Sequence, residues 1–136
     1  ISFTLRRPFF CQEREGSFRL LDEAGRELGR GQPPPGLVTV RGDDAALAAV
    51  TPFAPQLRSL RSRIEYVAWG EPRGIELKLR GVPEVLHPGS EDFAGRIGRY
   101  LRIRDRLAAG AAVARADLRI PGRIYLELLD EQGGES

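Results

Sequence analysis

Apolar and polar positions alternate along the chain with two different periods. In residues 1–10, Ile1, Phe3 and Leu5 fall on one side and Ser2, Thr4 and Arg6 on the other. This is the period of a half-buried strand, which Pro8 ends. Ser17–Gly31 predicts a strand over Phe18–Leu21, a turn at Asp22–Gly25 and a short strand near Glu27–Leu28. Gln32–Gly36 holds three consecutive prolines and reads as a loop, followed by a β-prone run at Leu37–Val40.

The period changes at Asp44. Leu47, Val50, Ala54, Leu57 and Leu60 recur at steps of three and four, which marks one buried helical face. Asp43 or Asp44 suits the cap, and Pro52 and Pro55 predict two short helical pieces. Ile64–Trp69 reads as a strand. Ile75, Leu77 and Leu79 against Glu76, Lys78 and Arg80 form the cleanest alternation in the chain, and Gly81 provides a turn. Val82–Leu86 pairs back until His87-Pro88-Gly89 ends it.

Ser90 is the expected N-cap of a second helix, with Glu91 and Asp92 in its first turn. Phe93, Ile97, Tyr100, Leu101, Ile103, Leu107 and Ala108 share one arc of that helix, and Arg99, Arg102 and Arg106 lie opposite. Gly110 is the expected C-cap, and Arg104 falls inside the apolar arc without an evident partner. Arg115–Ile120 and Arg123–Leu129 are the last two strands. The Pro121-Gly122 pair between them suits a type II turn, so that connection is expected to be wider or bulged. Asp130–Ser136 reads as a flexible polar tail.

A strand–turn–strand–helix–strand order occurs in Phe18–Trp69 and again in Ile75–Ile120, displaced by about 56 residues. Two such units predict an α+β fold: a mostly antiparallel sheet with helices packed on one face. The last strand stands outside the repeat and is expected at an edge. Ile124, Leu126 and Leu128 point one way, and Tyr125, Glu127 and Leu129 the other, so both of its faces are largely apolar. An edge of that kind invites a partner strand, whereas a central position would bury both faces within the chain.

Length and composition narrow the function. The chain has 136 residues, 41% of them hydrophobic and 29% charged, enough for one domain with its own core. One cysteine, Cys11, and one histidine, His87, exclude an internal disulfide and a Cys/His zinc cluster. No apolar run is long enough to cross a membrane as a helix. The chain opens on Ile1 and contains no methionine, which suggests a piece of a longer protein. Nearly all basic residues are arginine, Lys78 is the one lysine, and asparagine is absent. That composition leans toward a heat-loving source.

Asp22, Asp43, Asp44, Asp117 and Glu127 show no spacing that pairs a general acid with a base. Nucleophile-elbow, phosphate-loop and dinucleotide motifs are missing from the sequence. His87 reads as a turn residue and Cys11 as a small, partly buried hydrophobe. Arg41-Gly42-Asp43 is better explained as a helix start than as an adhesion tripeptide, and Gln32–Pro35 as a rigid connector. No catalytic residue, metal or cofactor is therefore expected. Arg99, Arg102 and Arg106 offer an alternative function, a nucleic-acid-binding helix face, but no aromatic residues are interleaved for base stacking and net charge is only +2.

Four stretches, in order, resemble the FtsQ/DivIB family of bacterial cell-division proteins. Ala116-Asp117-Leu118-Arg119-Ile120-Pro121-Gly122-Arg123-Ile124-Tyr125-Leu126 resembles the family's closing signature of Asp-Leu-Arg-aromatic, short turn and apolar strand. Phe18–Gly25 resembles its Leu-Val-Asp-x-x-Gly opening. Ile75–Gly81 matches its second half, and Ile1–Pro8 the last strand of the preceding POTRA domain. Ile120 stands where an aromatic is common, and Arg6-Arg7 replace an acidic start.

The resemblance implies three segments: residues 1–10 as the end of a truncated POTRA domain, 11–129 as the β domain and 130–136 as the tail. It also implies a non-enzymatic assembly protein anchored in the inner membrane by one helix outside this chain. The β domain would lie on the periplasmic side. The implied partners are FtsB and FtsL, recruited to the division septum by strand addition to the last strand. The implied partner-binding residues are Ile120, Arg123, Ile124, Tyr125, Leu126, Glu127 and Leu128, with Arg73 as a charged contact. Asp117 and Arg119 are expected to be structural.

Overall fold

The computed structural model describes Phe3, residues 5–107 and residues 112–129. Its strands are β1 (Phe10–Arg14), β2 (Ser17–Leu21), β3 (Glu27–Arg30), β4 (Val38–Val40), β5 (Ile64–Gly70), β6 (Gly74–Leu79), β7 (Val85–His87), β8 (Val113–Asp117) and β9 (Tyr125–Leu128). Helix α1 (Asp44–Val50) and the short α2 (Ala54–Leu57) are linked and extended by 3-10 turns at Thr51–Phe53 and Arg58–Arg63; α3 spans Phe93–Leu107. The nine strands form one sheet in the order β3-β2-β1-β4-β5-β6-β7-β8-β9. Most neighbours are antiparallel, and the helices cover one face, giving the α+β fold that the alternation predicts.

Three pairs are parallel: β1–β4, β4–β5 and β7–β8. Parallel neighbours need a long crossover. The α1–α2 run supplies it between β4 and β5, and α3 between β7 and β8. Each crossover is followed by an antiparallel strand, β6 or β9. Both predicted repeats contain a β–α–β crossover, but the structural duplication is shifted from the predicted one: β6, placed at the start of the second repeat, returns after the first crossover, and β9, placed outside the repeats, returns after the second.

The core lies between the helices and the sheet. Ile75, Leu77 and Leu79 face it from β6, as do Val38 and Val40 from β4, while Glu76 and Lys78 stand on the opposite face. Phe9 and Phe10 meet edge to face, with ring centroids 4.7 Å apart, and are fully buried.

The amino-terminal alternation does not make a strand among the described residues. Phe3 is 87% exposed, residues 5–8 lie outside any strand, and backbone pairing starts at Phe9, whose amide donates to the Leu21 carbonyl and whose carbonyl accepts from the Val38 amide, each at 2.8 Å. Pro8 lacks the amide a ladder needs; Ile1, Ser2 and Thr4 lie outside the described residues. Cys11 sits in β1, fully buried, its thiol 3.4 Å from the Thr39 hydroxyl.

Asp43 caps α1, its carboxylate accepting from the Ala46 amide at 3.1 Å. Asp44 instead pairs with Arg14 and Arg19, each at 2.8 Å. Pro52 and Pro55 fall at the starts of their short pieces, where a missing N–H costs nothing. The two expected pieces thus join into one kinked run.

Ser90 does not cap α3. Asp92 takes a left-handed conformation (φ 54°), and the helix begins at Phe93. Gln56 of α2 holds that start from outside, accepting from the Phe93 amide at 2.9 Å and donating to the Ser90 carbonyl at 2.8 Å. The Asp92 carboxylate folds over Gly95, where a Cβ would lie 2.5 Å from its oxygens, so a larger residue there would displace that carboxylate. Ala108 and Gly110 lie outside the described residues.

Arg104 finds its partner in Glu84, on the loop into β7. The guanidinium binds both carboxylate oxygens, at 2.9 and 2.7 Å, and the Tyr100 hydroxyl donates to the same carboxylate. Glu84 is 2% exposed. Burial pushes its carboxyl up, but Arg104 and Tyr100 outweigh that and hold it below the usual carboxylate range. Burial and the neighbouring carboxylate raise the Tyr100 hydroxyl.

Arg104→Ala leaves a buried carboxylate without its cation and should cost about 3 kcal/mol in denaturant unfolding at neutral pH. Because the Glu84 pKa is depressed in the folded state, its contribution is complete above about pH 4.5 and disappears as pH falls through the folded value. Glu84→Gln with Arg104→Gln should be milder than Arg104→Ala and should lack this acid-dependent component.

Candidate partner-binding edge

β9 is an edge strand, with β8 on one side and no neighbour on the other among the described residues. It pairs Tyr125 with Asp117, Leu126 with Ala116, Glu127 with Arg115 and Leu128 with Val113, with a register shift in β8 between Val113 and Arg115. The Leu129 amide donates to the Ala112 carbonyl at 3.0 Å. Backbone groups alternate in direction along a strand. Tyr125, Glu127 and Leu129 therefore bond inward to β8, while the N–H and C=O groups of Leu126 and Leu128 point to the open edge. The same alternation sends Ile124, Leu126 and Leu128 to the helix side and Tyr125 and Glu127 to the other face.

The two edges of the sheet differ. β3 (Glu-Leu-Gly-Arg) is charged at two of its four positions, with Glu27 paired to Arg19 and Arg30 at 2.9 and 3.4 Å, whereas β9 (Tyr-Leu-Glu-Leu) is charged only at Glu127; charges blunt an edge. On β9, Tyr125 is 49% and Leu128 53% exposed, while Ile124 and Leu126 pack partly against the core.

The connection from β8 to β9 runs from Leu118 to Ile124. Its tip is the type II turn that the sequence suggests: the Arg123 amide bonds the Ile120 carbonyl at 3.1 Å and Gly122 has φ 77°. Ile120 is exposed in this turn, and Arg123 donates to the Tyr125 hydroxyl at 3.3 Å. Asp117 and Arg119 pair with each other, through contacts of 2.9 and 2.7 Å, and the Asp117 carboxylate also takes the Arg119 amide. These hydrogen bonds hold the Asp117 carboxyl below its ordinary value against the effect of burial. Arg119 also donates to the Pro72 carbonyl at 3.3 Å, tying this connection to the β5–β6 hairpin.

Arg73 comes from that hairpin and meets Glu127 at 3.2 Å, so the fold joins the one predicted site residue remote in sequence to the others. The opposite side of the Glu127 carboxylate lies 3.4 Å from Arg115, which in turn reaches Glu76 at 3.4 Å. Beneath them lies His87, 2% exposed, with Nε2 3.0 Å from Arg115. Since arginine only donates, Nε2 accepts and Nδ1 carries the proton. Nδ1 has no partner. Burial first, and Arg115 second, lower the His87 pKa.

Sequence reasoning missed Arg115, Glu76 and His87, whose placement depends on strand register. Their signal was the period of two that puts Arg115 and Asp117 on one face of β8. Among the described residues no three His, Cys, Asp or Glu side chains gather as metal ligands.

No protein-family model matches the chain, and no curated protein matches it.

In the free domain, amides of Leu126 and Leu128 should exchange with solvent fast and those of Tyr125, Glu127 and Leu129 slowly, as read by NMR hydrogen exchange. Uniform protection along β9 would show that the edge is covered. A depressed histidine pKa gives stability that is complete above about pH 6.5 and lost as pH falls through the folded value. Stability in denaturant unfolding should therefore begin to decline below about pH 6.5, and His87→Gln, which keeps an acceptor for Arg115, should remove this component of the decline.

Proposed function

We propose that this domain is a non-catalytic docking module that binds a partner by accepting a strand on β9, as expected for an FtsQ/DivIB β domain. The observation that carries the reading is the edge itself: outward backbone groups at Leu126 and Leu128 on a strand whose side chains are mostly apolar. The backbone supplies register and alternate side chains supply selectivity. An incoming strand meets Ile124, Leu126 and Leu128 on the helix side and Tyr125 on the other. Ile120 and Arg123 border its end, and Arg73 stands beside Glu127 to bind a carboxylate.

On this reading the partners are the FtsB–FtsL pair, and the domain recruits them to the division septum from the outer side of the inner membrane. The anchor would be a helix outside this chain; no helix of the described residues is long and apolar enough to cross a membrane. Three of the four motif stretches, Phe18–Gly25, Ile75–Gly81 and Ala116–Leu126, fall in order on one sheet and support the same family, whereas the described residues of Ile1–Pro8 do not join it.

Leu126→Pro decides the matter. The Leu126 N–H points away from β8, so proline there removes a hydrogen bond only a partner would use. Glu127→Pro breaks the β8–β9 ladder. By calorimetry with the periplasmic FtsB–FtsL segment, Leu126→Pro should abolish binding with the circular dichroism spectrum and unfolding midpoint nearly unchanged, whereas Glu127→Pro should lower the midpoint. Wild-type-like binding by a folded Leu126→Pro domain would sink the proposal.

A further inference from the structure

Between α3 and the Leu118–Ile124 connection lies a groove of about 330 Å³. Its floor is aliphatic, built by Ile103, Leu107, Leu118 and Ile124, and no aspartate or glutamate lines it. Arginines form its rim. Arg96 is committed to the Pro88 and Arg119 carbonyls and Arg123 to Tyr125. Arg99 lines the groove and has no such commitment among the described residues; Arg102 and Arg106, also exposed on α3, continue a stripe from it away from the groove. The carboxylate nearest that stripe in sequence, Asp105, turns to Arg104 at 3.6 Å. Like charges three and four residues apart oppose the helix that carries them, so an acidic ligand relieves a repulsion already present.

The groove adjoins the start of β9, because Ile124, the residue before Tyr125, lines it. A partner strand that continues past the Tyr125 end of β9 comes close to it. We infer that the partner segment is acidic where it leaves β9: an apolar strand pairs with the edge, and the chain beside it lays carboxylates along Arg99, Arg102 and Arg106. The inference rests on the strand-addition reading. Phosphates fit the same charges, but the floor is aliphatic and offers no ring on which a base stacks, which favours a protein segment over nucleic acid.

The test uses two fluorescein-labelled probe peptides. Each begins with the same strand-forming apolar stretch; one continues into a run of glutamates, the other into glutamines. Fluorescence anisotropy on the whole chain at low salt should show the glutamate probe binding about tenfold more tightly. The preference should shrink as salt rises and vanish in Arg99→Glu with Arg102→Glu. Arg99→Gln with Arg102→Gln, which adds no negative charge, should lose a smaller share. Leu126→Pro should release both probes.

Equal binding of the two probes, lost in Leu126→Pro, overturns the acidic-segment inference and leaves strand addition standing. Failure of both probes to bind overturns both readings. Glutamate-probe binding that survives Leu126→Pro overturns the link between groove and edge. Displacement of that probe by single-stranded oligonucleotide assigns the stripe to nucleic acid, and displacement by phosphatidylglycerol vesicles assigns it to a lipid surface; each overturns the inference.

Discussion

The placement of α3 depends on one buried carboxylate. Glu84 sits at the loop into β7, and its pairing with Tyr100 and Arg104 fixes the middle of the helix to the chain that precedes it. Burying that charge is unfavourable unless both of its oxygens are satisfied, so the arrangement tolerates little displacement. Gln56 fixes the start of the same helix from α2. With α3 held at two points, Phe93, Ile97 and Tyr100 reach the core, and Ile103 and Leu107 are left to form one wall of the groove beside β9.

The face of the sheet opposite the helices is organised differently. There the carboxyl half carries a network of alternating charge, from Glu76 through Arg115 to Glu127 and Arg73, with His87 buried below. Exposed ion pairs of this kind each contribute little to stability. Their effect is to orient. Glu127 is held between two cations on neighbouring elements, which keeps its side chain off the open edge. Burial of His87 in its neutral form makes this network sensitive to acid.

Much of the fold was legible in the sequence because period is a local property. Ile75–Leu79 alternates so regularly that its inward and outward sets could be named, and the helical faces of α1 and α3 emerged in the same way. The features that escaped depend on contacts between distant segments. Gln56 displaces Ser90 as the cap of α3 through a contact from another helix, and Arg104 needs Glu84, twenty residues away. The parallel pairing of β4–β5 and β7–β8 leaves no mark on either strand. The amino-terminal alternation misled because a strand pattern requires a neighbour to pair with. At the candidate site the edge position of the last strand was legible from its place outside the repeat, since its apolar faces suit a central strand equally well, whereas the groove arises only when α3 and the β8–β9 connection are brought together.

The unlike edges of the sheet have a consequence for assembly. A sheet that can be extended from both sides is a monomer for a filament. On the proposed reading β9 accepts a strand, while β3 is charged at two of its four positions, so extension is one-ended and ends after a single docking event. The fold would then act as a chain terminator, and a complex built on this sheet would have a countable size.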